Sequence, residues 1–99
     1  MDDSETIEYE YQGRAWKLPR ALAELQVELA KADTECLRHS EDPEALRSAR
    51  AHRLELVCQK FRLARPWWDT FEKYERWHAD WALQDYGRKT AALHAKGGS

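Results

Sequence analysis

Two sets of side chains in this 99-residue sequence could do chemistry, and a third could hold a polyanion. Cys36-x-x-His39, with His52 and Cys58 further on, offers the sulfur and nitrogen donors that zinc accepts. His78, with Asp80 and Asp85 on the same segment, offers an imidazole and two carboxylates, the parts of an acid–base pair. Between Arg47 and Arg65 the chain carries Arg47, Arg50, Arg53, Lys60, Arg62 and Arg65 against Glu55 alone, and flanking aromatic residues could stack bases.

Each set has a plainer explanation. On two antiparallel helices joined near residues 39–42, Cys36 meets roughly residues 45–49, and Cys58 lies much further along. His52 and Cys58 are separated by about 9 Å of helical rise. No closed ligand set forms, so no metal site is expected. The same geometry keeps the cysteines from bonding to each other, and they read as reduced thiols buried as small hydrophobes. There is no nucleophile elbow and no glycine-rich phosphate loop. His78 then reads as a core-edge histidine held by a carbonyl or a carboxylate. The chain is not read as an enzyme, and no cofactor is expected. The cations Arg47, Arg53, Lys60, Arg62 and Arg65 project on several sides of one helix, and the net charge is −2. Nucleic-acid binding is therefore the alternative function, with at most weak, salt-sensitive association expected.

The elements that must position these residues follow from periodicity. Residues 1–6 are polar and acidic, and read as a disordered tail. Ile7-Glu8-Tyr9-Glu10-Tyr11 alternates as a half-buried strand does. Gln12-Gly13 suits a two-residue turn. Folding back over it sets Tyr11 against Arg14, Tyr9 against Trp16 and Ile7 against Leu18 on one face, with Glu8 against Lys17 on the other. A lone hairpin is marginal in water, so residues 7–18 should lie on the helices.

Pro19 can open a first helix over about 19–38, with a seam of Leu18, Leu22, Leu25, Leu29, Ala32 and Cys36. Val27 falls on the opposite side and is expected to be exposed. Asp42-Pro43-Glu44 reads as N-cap, first helical residue and first-turn acid of a second helix over about 43–64. Its apolar residues form two arcs. Leu46, Leu54, Val57, Phe61 and Ala64 make one, and Ala45, Ala49, Leu56 and Leu63 make the other. Arg50 lies inside the first arc, so it must find a carboxylate or lie near the bundle's end. Arg65-Pro66 is expected to break the chain. A third helix then runs over 66–86 or longer, with Gly87 a natural C-cap, and 96–99 form a flexible tail.

The third helix carries the strongest signal. Trp67, Phe71, Tyr74, His78, Trp81 and Asp85 recur every three or four residues, one narrow helical stripe that should be buried. Trp68 and Trp77 fall on either side of it, so at least one is expected to be partly exposed, as contact residues are. The strand-turn-strand opening Ile7 to Leu18, followed by a leucine-rich helix, resembles small proteins of actinobacterial phages and mobile elements. It implies a phage or mobile-element origin.

The whole reads as one mainly α domain spanning 7–95, a three-helix bundle with an N-terminal β-hairpin packed on it. The function expected is that of a non-enzymatic interaction module: an accessory, adaptor or inhibitor protein. It would bind a protein partner or a second copy through Trp67, Trp68, Trp77 and Trp81. The acidic start argues against a signal peptide and no apolar run could span a bilayer, so no membrane role and a cytoplasmic location are expected.

Overall fold

The computed structural model describes residues 5–97. Residues 1–4 of the expected acidic tail, and residues 98–99 of the expected C-terminal tail, lie outside that range. The described chain runs β1 (Thr6–Tyr11), β2 (Arg14–Pro19), α1 (Arg20–Arg38), α2 (Pro43–Trp68) and α3 (Lys73–Gly97). This is a three-helix bundle carrying an N-terminal two-stranded hairpin. Thr6 and Lys96, which the sequence places in tails, are inside β1 and α3.

The hairpin forms in the register its side chains require. Ile7 pairs with Leu18, Glu8 with Lys17, Tyr9 with Trp16 and Tyr11 with Arg14. Gln12 and Gly13 both take positive φ, 50° and 77°, the left-handed pair that matches the twist of the strands. Glycine takes this conformation without strain and Gln12 does so at some cost. Trp16 and Leu18 are buried, and Ile7, Tyr9 and Tyr11 pack against them.

α1 is the central helix. It packs against both α2 and α3, while those two meet each other over only a short stretch. The seam Leu22, Leu25, Leu29 and Ala32 is buried as its spacing requires. Because α1 has neighbours on two sides, Ala23, Gln26 and Val27 are buried as well. The expectation that Val27 is exposed assumed a single partner for α1, and the structure corrects it.

Asp42 caps α2 as expected. Its carboxylate accepts from Ala45 N at 3.2 Å, with Pro43 in the first turn. The helix does not break at Pro66. It continues to Trp68, with Pro66 in its last turn. A proline there removes one donor but need not end the helix, and Trp67 and Trp68 gain packing by staying helical: both lie against the main core. The break falls instead at residues 69–72. The Thr70 hydroxyl donates to Trp67 O at 2.6 Å, and Asp69 N and Phe71 N donate to Arg65 O and Trp68 O. α3 then runs through Gly87 without ending there.

Two apolar clusters hold the elements. The larger joins Trp16, Leu18, Leu22, Ala23, Ala64, Ala79, Ala82 and Leu83, where hairpin, α1, the end of α2 and α3 converge. The smaller joins Leu25, Leu29 and Ala32 of α1 to Leu56 of α2. The two-arc reading of α2 holds only in part. Leu56 and Ala64 are buried, but Leu54, Phe61 and Leu63 are largely exposed, since α1 covers one side of α2 and α3 covers little of another. Cys58 is also exposed and Cys36 half-buried, so the expectation of two buried thiols fails for Cys58, which sits about 100° round the helix from Val57. Both are free.

Candidate functional site

The face that α3 buries is mostly small, with one leucine among alanines and a glycine. Ala79, Ala82 and Leu83 are fully buried, and Gly87 lies against α1, where a Cβ would stand 2.6 Å from Gln26 Cγ. Close approach of two helices requires small side chains along the line of contact. Residues spaced three and four apart from Ala79 therefore point at α1, and those about half a turn round point to solvent.

The aromatic stripe is on the far side, which overturns the expectation that it forms a buried seam. Tyr74 of the stripe is 76% exposed and Trp81 47%, and Trp77 beside them is 60% exposed, as one of Trp68 and Trp77 was expected to be. The break at residues 69–72 explains this. Trp67, Trp68 and Phe71 precede α3 and belong to a different helix and its turn, so the stripe is not continuous. Trp67 and Phe71 pack edge to face at 5.3 Å, Phe61 and Trp68 at 5.6 Å, and Trp16 lies 6.0 Å from Phe71. Trp67 and Trp68 are thus half-buried structural residues at the elbow between α2 and α3, while Trp77 and Trp81 stand on the outer face. Of the four tryptophans expected at a contact surface, the structure brings two together there and adds Tyr74. Its spacing to Trp77 and Trp81, three and seven residues, was legible once the break was known.

The other groups are occupied elsewhere. His78 is exposed and packs edge to face on Trp81 at 5.3 Å. Its expected carboxylate partners are engaged by other groups. Asp85 Oδ2 accepts from the Tyr9 hydroxyl at 2.5 Å and lies 3.1 Å from Lys89 Nζ. Asp80 Oδ2 accepts from Gln84 at 2.6 Å, and its Oδ1 lies 3.1 Å from Lys60 Nζ, an ion pair without hydrogen-bond alignment. Burial, then the bond to Asp85, raises the Tyr9 phenol above its usual range. The bond from Tyr9, followed by Lys89, holds the Asp85 carboxyl below its usual range despite burial. Among the described residues no three His, Cys, Asp or Glu side chains gather as a metal-holding group. His39 instead contacts Glu35 at 3.2 Å.

The basic stretch of α2 is divided. Arg53 is bonded to Asp33 of α1, and Lys60 is paired with Asp80, so these two brace the bundle. Arg62 and Arg65 share a hollow at the elbow with Phe61, Trp68, Asp69 and Arg76, and Arg47 is exposed away from it. Arg50 is exposed beside Leu37 and Leu54 near the α1–α2 turn, the position at the bundle's end that its place in the sequence required. No helix among the described residues is long and apolar enough to cross a membrane. Compared with known proteins, the chain matches no family model, no curated protein and no solved structure.

Proposed function

We propose that the protein is a non-enzymatic interaction module whose contact surface is the outer face of α3. One observation carries the reading: Tyr74, Trp77 and Trp81 are exposed together on the face opposite Ala79, Ala82 and Leu83. Exposed aromatic residues cost solubility and add nothing to this core. Spaced at i, i+3 and i+7, they match the anchors by which a helix lies in an apolar groove. Tryptophan and tyrosine are also the residues that most often dominate binding energy. The occupant of that face is a partner protein with an apolar groove, or a second copy of this chain, in an accessory, adaptor or inhibitor role.

Comparing Trp77→Ala and Trp81→Ala with the unaltered protein tests this. The readouts are sedimentation velocity for self-association, recovery of bound proteins on a tagged chain, and circular dichroism. Each substitution should weaken association by about 2 kcal/mol or more, roughly thirtyfold in Kd, at unchanged helicity. An association indifferent to both substitutions rules the face out.

A further inference from the structure

The elbow between α2 and α3 gathers more positive charge than its one ion pair uses. Arg62 and Arg65, from the last turns of α2, and Arg76, from the first turn of α3, line one open hollow of about 630 Å³. Phe61 and Trp68 form its aromatic wall, their rings edge to face at 5.6 Å. A single carboxylate, Asp69, lines the same hollow, with its Oδ1 3.5 Å from Arg76 Nη2. Arg76 also donates from Nε to Phe71 O at 3.3 Å. Arg62 and Arg65 make no ion pair with any described residue. Three guanidinium groups against one carboxylate repel one another and stabilise nothing in the apolar clusters, to which none of the three belongs.

We infer that this hollow is a binding site for a phosphate ester carried on a planar aromatic group, that is, a nucleotide. Guanidinium groups present forked donors that match phosphate oxygens and keep their charge at any physiological pH. Phe61 is 56% exposed and offers a ring for a base to stack on. The volume falls within the range of small-ligand sites. The charge and the ring together select the ligand class. A bare anion would leave Phe61 in water, and an uncharged aromatic would leave Arg62 and Arg65 unpaired. An acidic peptide would pair the arginines but brings no planar base to stack on the exposed Phe61 ring. The site is independent of the outer face of α3, so failure of either proposal leaves the other standing.

The test uses the full chain with its tryptophan indole N–H resonances assigned, titrated at about 150 mM salt. The probes are ADP, a thymidine octanucleotide, inorganic phosphate and octaglutamate. Binding of ADP or the octanucleotide should shift the Trp68 indole resonance and leave Trp77 unmoved. Tighter binding of ADP identifies a free nucleotide as the ligand, and tighter binding of the octanucleotide identifies single-stranded nucleic acid. Arg62→Ala, Arg65→Ala and Phe61→Ala, all at exposed positions, should each weaken binding about tenfold, the loss expected for one charge-assisted or stacking contact. Arg47→Ala, outside the hollow, should change it less than twofold. Any of four results overturns the proposal: no Trp68 shift with ADP or octanucleotide at millimolar concentration, inorganic phosphate bound as tightly as ADP, octaglutamate bound in preference to both nucleotide probes, or binding unchanged by the three substitutions.

Discussion

Gly87 of α3 lies directly against Gln26 of α1. A Cβ built at position 87 would stand 2.6 Å from Gln26 Cγ and 2.7 Å from its carbonyl oxygen. A side chain can turn away, but a carbonyl oxygen inside a helix moves only if the helix moves. Glycine in mid-helix costs about 1 kcal/mol relative to alanine, and here that cost keeps α1 and α3 at their close spacing.

Gly87→Ala should therefore destabilise the protein although alanine is the better helix former. Overpacking of this kind costs about 1–3 kcal/mol. In a domain of this size the melting temperature moves by about 4–8 °C for each kcal/mol. Thermal unfolding followed by circular dichroism reads it out. A raised melting temperature would mean that the two helices are further apart than described.

The aromatic residues should separate sharply by position. Trp16 is 4% exposed and Trp77 is 60% exposed. Trp16→Ala should cost about 3–5 kcal/mol, as other large-to-small changes in a core do. At concentrations where the chain is monomeric, Trp77→Ala should stay within about 0.5 kcal/mol, as surface changes do. Urea unfolding of the two variants checks the pair, and similar losses in both would place Trp77 in a core.

The ion pair Lys60–Asp80 joins α2 to α3, alongside the apolar contact of Ala64 with the α3 cluster. The side chains are 11% and 23% exposed. Breaking a fully buried pair costs about 3–5 kcal/mol. With some solvent access, Asp80→Ala should cost less, about 1–3 kcal/mol, chiefly by stranding the Lys60 ammonium. Lys60→Met combined with Asp80→Leu should recover much of that. Denaturant midpoints of the single and double variants decide the matter, and a neutral Asp80→Ala would contradict it.

The bond from Tyr9 to Asp85 makes stability depend on pH at both extremes. Asp85 is held low in the folded state, so its contribution is present above the unfolded value of about 3.9 and is lost as pH falls through the folded value. Tyr9 is raised, so its contribution is present below about 10 and is lost as pH rises through the folded value. The stability difference between the unaltered protein and Tyr9→Phe should be level from about pH 5 to 9 and shrink on either side. A difference independent of pH across the whole range would show that the bond does not form in solution.

Local signals made much of the fold readable from sequence. The hairpin register is over-determined, since Tyr9–Trp16 and Glu8–Lys17 satisfy opposite faces at once. Asp42-Pro43 announces the start of α2. What misled was the weight given to ring size. The stripe Trp67 to Asp85 has helical spacing, but it is interrupted after Asp69, where the Thr70 hydroxyl bonds back to Trp67 O, a local bond that favours turns. The buried face of α3, Ala79, Ala82, Leu83 and Gly87, is inconspicuous in a hydropathy pattern because three of its four residues are small and contribute little to it. Val27 was misplaced because one helix's own sequence does not say how many neighbours it has. The division of labour among the tryptophans, two at the elbow and two on the outer face, needed the position of the break. The elbow hollow needed it too, since Arg62 and Arg76 are brought together only by the turn between them.

If the outer face of α3 is where the protein meets another protein, site-specific photo-crosslinking will capture that contact in place. A benzophenone amino acid placed at position 78, exposed and packed beside Trp81, and activated in the cells that make the protein should give one dominant crosslinked species. That species is either a dimer of this chain or an adduct with one other protein, and Tyr74→Ala or Trp81→Ala should abolish it. The same probe at Arg47, on the exposed side of α2, should not give it. A chain that stays uncrosslinked at position 78, or yields the same products from both positions, would show that this face meets no partner.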